Sequence, residues 1–500
     1  MANRRMDSCQ LPLSRPSPSF PLPEGETAIG PSLARGPRLN PIGEGGRPWR
    51  APRTLSLGER ARGEGIFTAL RASFLALLLL VVPALAEAGP RIEHWTLANG
   101  TRVYFVEAHD IPMVQLRLVF DAAASRDPAG KSGLALMTNR LLHEGAGGLD
   151  AGEIARRFEN LGAEYGNGAG RDMAVIELRS LSEPGLLQPA LELLRTIVRQ
   201  PDFPAKAFER ERARSLVGLQ RDLANPAAVV QKTFYRELYG SHPYAADPPG
   251  DPASLKGLSR DDLLAHYRRY YVGRNAVLVI VGDLTRRQAN RMANTVAGGL
   301  PAGESAAPLP KVVNGGRVER TIAFPAKQTH VRIGMPVLVR NDPDLFPLDV
   351  GNYILGGGGL VSRLADEVRE KRGYAYSVYS YFQPMREAGP FMLGLETKNV
   401  NKVEALKIVR RVLDEFIAKG PTAKELEDAK KHLVGGYPLK LAGNRKIADQ
   451  VAYIAFYELP LDWLETFTAR IEAVTIEQIR DAFQRRVRPN ELVTVTVGGR

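Results

Sequence analysis

Cysteine is all but missing: the 500-residue chain contains one, Cys9, in its amino-terminal tail. From Gly89 onward there is no thiol, which excludes a disulfide framework, a cysteine-zinc site and a thiol nucleophile. Histidine is scarce too. The seven are His94, His109, His143, His242, His266, His330 and His432, and no two stand three or four residues apart, so no helix face offers a metal two imidazoles. The formal charge of +12 is spread over segments that also carry Asp and Glu, and no aromatic-studded basic block occurs, which argues against a nucleic-acid partner. No glycine run leads into Lys-Ser/Thr, no strand-linked G-x-G-x-x-G opens a dinucleotide fold, and no G-x-S-x-G elbow is found. Long apolar runs are absent except for Phe74 to Ala86, which is shorter than the roughly 20 residues of a membrane-spanning helix.

That run belongs to a recognisable layout. Residues 1–65 are rich in Pro, Arg, Gly and Ser without hydrophobic period, and are expected to be disordered. Residues 66–88 read as a secretory signal peptide: Arg71, the apolar run, then Ala86-Glu87-Ala88 before a cleavage at Gly89. An uncleaved anchor is the alternative. A signal peptide belongs at the amino terminus, so the residues ahead of it read as a mis-assigned start. Export into a bacterial periplasm is the expectation, and a thiol-free mature chain suits that oxidising compartment.

From Gly89 the chain is written twice at a period of about 216 residues. Ala190-Leu191-Glu192-Leu193 answers to Ala405-Leu406-Lys407-Ile408, Leu216-Val217-Gly218 to Leu433-Val434-Gly435, and the strand Val277 to Gly282 to Val493 to Gly498. Domains are expected at 89–299 and 317–500, joined by the Pro- and Gly-rich linker 300–316. Each opens with strands. Asn99-Gly100 suits a hairpin turn between two of them, and Val114 to Phe120 alternates as a half-buried strand does. In the second half Thr321 to Phe324 and Val331 to Met335 hold the same places. Helices are expected at Lys131 to His143 and Asp150 to Leu161, matched by Leu345 to Leu355 and Val361 to Arg372; strands follow at Val175 to Leu181 and Phe391 to Glu396. Capping boxes at Thr422 with Glu425 and Thr475 with Gln478 start later helices. Strands, then helices, then a strand predict an α+β fold with helices on one face of a mixed sheet, and two such domains are expected to enclose a crevice.

The most informative stretch is Tyr353 to Phe382, YILGGGGLVSRLADEVREKRGYAYSVYSYF. Gly356, Gly357, Gly358 and Gly359 form a loop that permits positive φ and close ligand approach. Ser362, Arg363 and Leu364 open a short amphipathic helix, Arg369 stands near its end, and Tyr376 near the start of a tyrosine-rich strand. This resembles the carboxyl-half motif of the pitrilysin, insulin-degrading enzyme and mitochondrial processing peptidase family, in which a glycine-rich loop precedes SRL and then an Arg and a Tyr separated by six residues.

The resemblance covers Gly89 to Arg500 and implies two homologous α/β roll domains arranged as a clamshell. It also implies an inverted zinc motif, H-x-x-E-H, in the first half, with a second Glu about eighty residues on. Here Leu136 and Arg140 stand where the histidines belong, Asn139 where the base belongs, and Gly218 at or near the distal ligand. Leu136 has no lone pair, and Arg140 sets a permanent cation where a dication would sit. No metal or other cofactor is expected in this chain. Some members of the family divide the zinc half and the Arg/Tyr half between two polypeptides, and this chain resembles the second kind. The resemblance therefore implies an exported non-zinc subunit, with zinc in a homologous partner subunit. Arg369 and Tyr376 would serve as catalytic hydrogen-bond donors to the developing oxyanion, and Gly356 to Gly359 would bind extended peptides. An inert scaffold of the same fold and a stand-alone peptide-binding module are the other two readings.

Overall fold

The computed structural model describes residues 89–499. The tail, the signal peptide and its cleavage context lie outside the described residues. Residues 90–499 belong to one compact unit. Within it the first repeat runs β1 (Glu93–Thr96), β2 (Arg102–Glu107), β3 (Met113–Phe120), α1 (Leu134–Arg140), α2 (Ala151–Asn160), β4 (Glu164–Ala169) and β5 (Ala174–Leu181). It continues through α3 (Pro184–Arg199), α4 (Ala205–Leu223), α5 (Pro226–Tyr239), α6 (Pro252–Gly257), α7 (Arg260–Tyr270), β6 (Ala276–Gly282) and α8 (Arg286–Val296).

The second repeat opens with β7 (Val318–Ile322), β8 (Gln328–Leu338) and α9 (Leu345–Asn352). After a stretch of turns and π-helix come β9 (Ala375–Phe382), β10 (Gly389–Lys398), α10 (Lys402–Lys419) and α11 (Ala423–Lys440). It closes with α12 (Asn444–Phe456), α13 (Trp463–Glu472), α14 (Ile476–Arg486) and β11 (Val493–Val497).

The strand orders are β1-β2-β6-β3-β5-β4 and β9-β10-β8-β11-β7. Apart from β1, one is the other read backwards, strand for strand, and in each the first and last strands of the repeat pair in parallel while the remaining pairs are antiparallel. Two homologous α/β rolls therefore make up the chain. The opening strand of the second repeat is Val318–Ile322, earlier than its apolar residues indicate, because pairing with β11 and not hydrophobicity sets its ends.

The helices of each repeat pack on one face of their own sheet and enclose a core there. The other face is covered too, by a helix from the opposite repeat. Val230, Phe234 and Leu238 of α5 bury against Val493, Val495 and Val497 of the second sheet. Reciprocally, Val451, Ala452 and Ala455 of α12 bury against Val119, Val175, Val277 and Val279 of the first. This is why the last strand of each repeat is buried at every position: β6, AVLVIVG, has lost its alternation as a strand covered on both faces does, while β11, VTVTV, turns its valines to α5 and keeps buried threonines on its other face. The clamshell is shut on two exchanged helices.

Polar contacts pin the junction. Asp172, buried in the β4–β5 turn, accepts from Tyr244 Oη at 2.7 Å, Tyr457 Oη at 2.9 Å and the Arg386 backbone N–H at 2.9 Å. Arg117 of β3 is shared between Glu177, at 2.8 Å, and Asp449 of α12. Burial pushes the Asp449 carboxyl up to about 6, and the neighbouring Glu177 adds to the push that Arg117 resists. Residues 301–317 have neither helix nor strand but run along this junction, with Leu309 buried and the Pro310 carbonyl 2.9 Å from His242 Nε2.

Candidate functional site

The helix expected over 361–372 is found over residues 363–370, where it starts as an α-helix and continues as a π-helix. A π turn, Tyr353–Gly357, ends α9; a 3-10 turn, Gly359–Val361, follows; a second π segment, Ala365–Glu370, leads to β9. The glycines between them answer to packing. A Cβ on Gly356 would lie 2.5 Å from Ser380 Oγ and 2.6 Å from Ser380 N; one on Gly357 would lie 2.6 Å from Asn352 Nδ2, and one on Gly358 2.8 Å from Tyr353 O. Of the four only Gly359 has positive φ, 60°. The run thus lets the first π turn lie flat on β9, and exposed side chains come just after it, at Leu360 and Val361. Gly356→Ala is expected to destabilise the fold by about 1–3 kcal/mol through overpacking against Ser380. A denaturation midpoint equal to that of the unaltered chain would show that the turn repacks freely.

Ser362, Arg363 and Leu364 are likewise structural. Ser362 Oγ donates to Gly359 O at 2.7 Å, Leu364 is fully buried, and Arg363 forks onto Glu425 at 2.6 and 2.7 Å. Glu425 is the residue that completes the capping box of α11 with Thr422, so the turn is tied to a helix start.

Arg369 and Tyr376 are brought together. In the β9–β10 ladder Ala375 pairs with Thr397 and Ser377 with Glu396, leaving Tyr376 as the extra residue of a bulge. A bulged residue has no ladder partner and its side chain is re-aimed; Tyr376 is 67% exposed. The Arg369 guanidinium lies 5.2 Å from the centre of its ring, a cation–π contact, with Nε 3.3 Å from Glu370. β9 is the edge strand of its sheet, and Gly356 meets it at Ser380, so glycine turn, guanidinium and phenol lie along one sheet edge. Among the described residues no hydrogen bond, ion pair or ring contact links Arg369 or Tyr376 to the first repeat. The crevice expected between the two repeats is taken up by α5 and α12, and the pair faces solvent outside it.

The positions of the inverted zinc motif lie on α1. Leu136 packs on the first core, and Asn139 is fully buried, donating from Nδ2 to Tyr271 Oη at 3.2 Å and to Val175 O at 3.3 Å. Arg140 is exposed at the residue level, yet partial desolvation lowers its pKa; Glu211 of α4 resists that fall and Arg214 adds to it. Glu211 is itself engaged by Arg214 at 2.7 Å. A side chain on Gly218 would meet nothing within 4 Å, so the fourth position is open space. A thio-free set of Leu, amide, guanidinium and hydrogen does not fit zinc, which takes imidazole, thiolate or carboxylate donors. Among the described residues no three His, Asp or Glu side chains are grouped to hold a metal. His143 and Glu144 do not replace it: among the described residues no third ligand is grouped with them, and Glu144 pairs with Arg210.

Sequence reasoning missed two features here. Asp127 caps α1, accepting from the Gly133 and Ala135 N–H groups at 2.8 Å each, and burial pushes its carboxyl up to about 7. This cap, with Gly133 at φ 94°, is why α1 begins at Leu134 and not at Lys131. The second is the bulge, which no local residue pattern announces.

Two interlocked α/β rolls, with a vestigial inverted zinc motif in the first and a glycine turn, Arg and Tyr along a sheet edge in the second, define a metallopeptidase-type chain. Residues 102–247 match the insulinase family, peptidase family M16, and residues 257–433 match the peptidase M16 inactive domain. The chain belongs to peptidase family M16. It is 40% identical to a peptidase M16 inactive domain from Pseudomonas fluorescens of known crystal structure, with a TM-score of 0.80 over 82% of this chain and 98% of that one. It is 27% identical to a non-peptidase homolog of Helicobacter pylori over 85% of this chain and 98% of the relative. An uncharacterized zinc protease of Streptomyces coelicolor is 26% identical over 78% of this chain and 86% of its own length. Among the described residues no helix is long and apolar enough to cross a membrane.

Proposed function

We propose that this chain is the exported non-zinc subunit of a two-chain M16 metallopeptidase. It grips extended peptides along the free edge of its second sheet and lends Arg369 and Tyr376 to a site whose metal-bearing half is on a homologous partner subunit. The observation that carries this reading is the bulge at Tyr376. It turns a phenol out of the sheet, beside a guanidinium, into a space that this chain's own first repeat does not reach. A pair that acts within one chain would face its own first repeat; a pair that completes another chain's site must be presented outward. Edge strand β9 offers unpaired backbone groups to which a peptide can add as a further strand. The hydroxyl and guanidinium are donors suited to charge developing on a tetrahedral intermediate. The printed descriptions of two relatives, a non-peptidase homolog and an inactive domain, support a chain that does not hydrolyse alone.

The replaced zinc positions equally support an inert periplasmic scaffold, and one experiment separates the two. The mature chain, beginning near Gly89, is mixed with an M16 chain of the same genome that carries an intact H-x-x-E-H, and cleavage of a quenched peptide library is followed. Activity only in the mixture is the expected result. Stoichiometric zinc and hydrolysis by the isolated chain would overturn the assignment, and no gain in the mixture would favour the scaffold.

A further inference from the structure

The sheet face beneath each exchanged helix carries a cross-strand ladder with an arginine at its middle rung, Arg117 in the first repeat and Arg332 in the second. On β3 the residues facing α12 are Gln115, Arg117 and Val119, and across β5 their partners are Arg179, Glu177 and Val175. The valine end is covered by the body of α12 and the middle rung is joined by Asp449. The outer rung, Gln115 with Arg179, meets the amino terminus of α12 at a cavity of about 160 Å³. That is the space of about five waters at roughly 30 Å³ each.

The charged side chains around this cavity, Arg179 and Arg445, are donors only, and no carboxylate lines it. Gln115 is 2% exposed and its amide makes no hydrogen bond among the described residues. Arg179 has only long contacts, to Glu164 at 3.7 Å and to Met113 Sδ at 3.5 Å. Arg445 lies 3.9 Å from Glu177, a carboxylate already held by Arg117 at 2.8 Å. The N-cap of α12 is Gly443, so no side chain caps the first-turn N–H groups, which attract anions. Asn444 turns its own amide onto the Met113 carbonyl at 3.1 Å. The walls, Ile111 and Met113, are apolar.

The second repeat carries acceptors of its own at the corresponding place. There His330 stands for Gln115, and Glu396, at 3.3 Å, is the carboxylate opposite it. The start of α5 is capped by the Asn225 side chain, which accepts from the Ala227 N–H. One repeat supplies both acceptors; the other supplies neither.

We propose that the cavity binds a carboxylate carried on a short aliphatic group. The carboxylate lies among Arg179, Arg445, the Gln115 amide and the start of α12, and the aliphatic part lies on Ile111 and Met113. The carboxyl terminus of a peptide ending in an aliphatic residue and a free branched-chain acid share this chemistry. The assignment is independent of the peptidase reading.

Calorimetric titration of the mature chain with N-acetyl-leucine, isovalerate, N-acetyl-leucinamide and inorganic phosphate tests it. Both carboxylates are expected to bind one to one. Tighter binding of N-acetyl-leucine identifies a peptide terminus, and tighter binding of isovalerate a free acid. Arg445→Gln, at an exposed position, is expected to weaken binding about tenfold or more with an unchanged melting temperature. Gln115→Leu, which keeps the site's volume, is expected to weaken it severalfold. Equal binding of the uncharged amide, tighter binding of phosphate than of either carboxylate, or no binding up to about 10 mM, well above the millimolar range of a few kcal/mol, would each overturn the proposal.

Discussion

Replacing Tyr376 by Phe is expected to lower turnover of the reconstituted two-chain enzyme by about 10², the usual loss when one oxyanion donor is removed. The change deletes a hydroxyl and nothing else. Tyr376 is 67% exposed, its Oη has no hydrogen-bond partner among the described residues, and the cation–π contact with Arg369 survives in a phenylalanine ring. Folding, complex formation and KM are therefore expected to stay within twofold while kcat falls, since an interaction made only in the transition state leaves ground-state binding alone. Arg369→Lys keeps the charge but loses the planar fork, and is expected to fall between the two. A Tyr376→Phe complex that turns over at the unaltered rate removes the reason for the bulge and leaves the scaffold reading.

The largest expected effect on stability lies far from that edge. Asp172→Ala strips the acceptor from two phenol hydroxyls and a backbone N–H, all in the junction between the repeats. Tyr244 also accepts from the Glu387 N–H at 3.1 Å, so its hydroxyl is one link of a chain that crosses from one repeat to the other. Burial, with the Asp172 charge beside them, pushes both phenols above their ordinary pKa, so they stay neutral donors at any pH at which the protein folds. Leaving several buried donors unpaired, at about 1–3 kcal/mol each with some relaxation, gives an expected loss of about 3–5 kcal/mol in denaturant unfolding. Tyr457→Phe, which removes one donor and leaves the acceptor two others, is expected to cost about 1 kcal/mol. A loss below 1 kcal/mol for Asp172→Ala would mean that the apolar exchange of α5 and α12 alone holds the repeats together.

Much of this was legible before folding. Val114 to Phe120 became β3, although its polar face, Gln115 and Arg117, is buried beneath α12 where a half-buried strand was expected, and the capping boxes at Thr422 and Thr475 became the starts of α11 and α14, because each rests on chemistry within a few residues. The replaced zinc positions are visible at once, since a leucine or an arginine cannot ligate wherever it lies. Less was legible where a local pattern had two physical causes. Four glycines can admit a ligand or admit a neighbouring strand, and Ser380 at Gly356 shows the second. The amphipathic run from Val361 to Arg372 did form a helix over residues 363–370, but Ser362 bonding back to Gly359 delays its start and most of it is wound as a π-helix, which spacing alone does not announce.

By itself the order of residues determined the duplication, the loss of metal donors, the lack of thiols and the family, all properties of composition and spacing. Tertiary structure alone decided which surfaces are covered. Phe234 and Val451 look like ordinary apolar residues of their own repeats, yet each buries against the sheet of the other. Arg369 and Tyr376 are separated by six residues on any reading, but only the pairing of β9 with β10 turns the phenol outward. Burial of the exchanged helices is set by partners more than a hundred residues away, and the direction of Tyr376 by the neighbouring strand β10; a strand or helix carries no local mark of what will cover it.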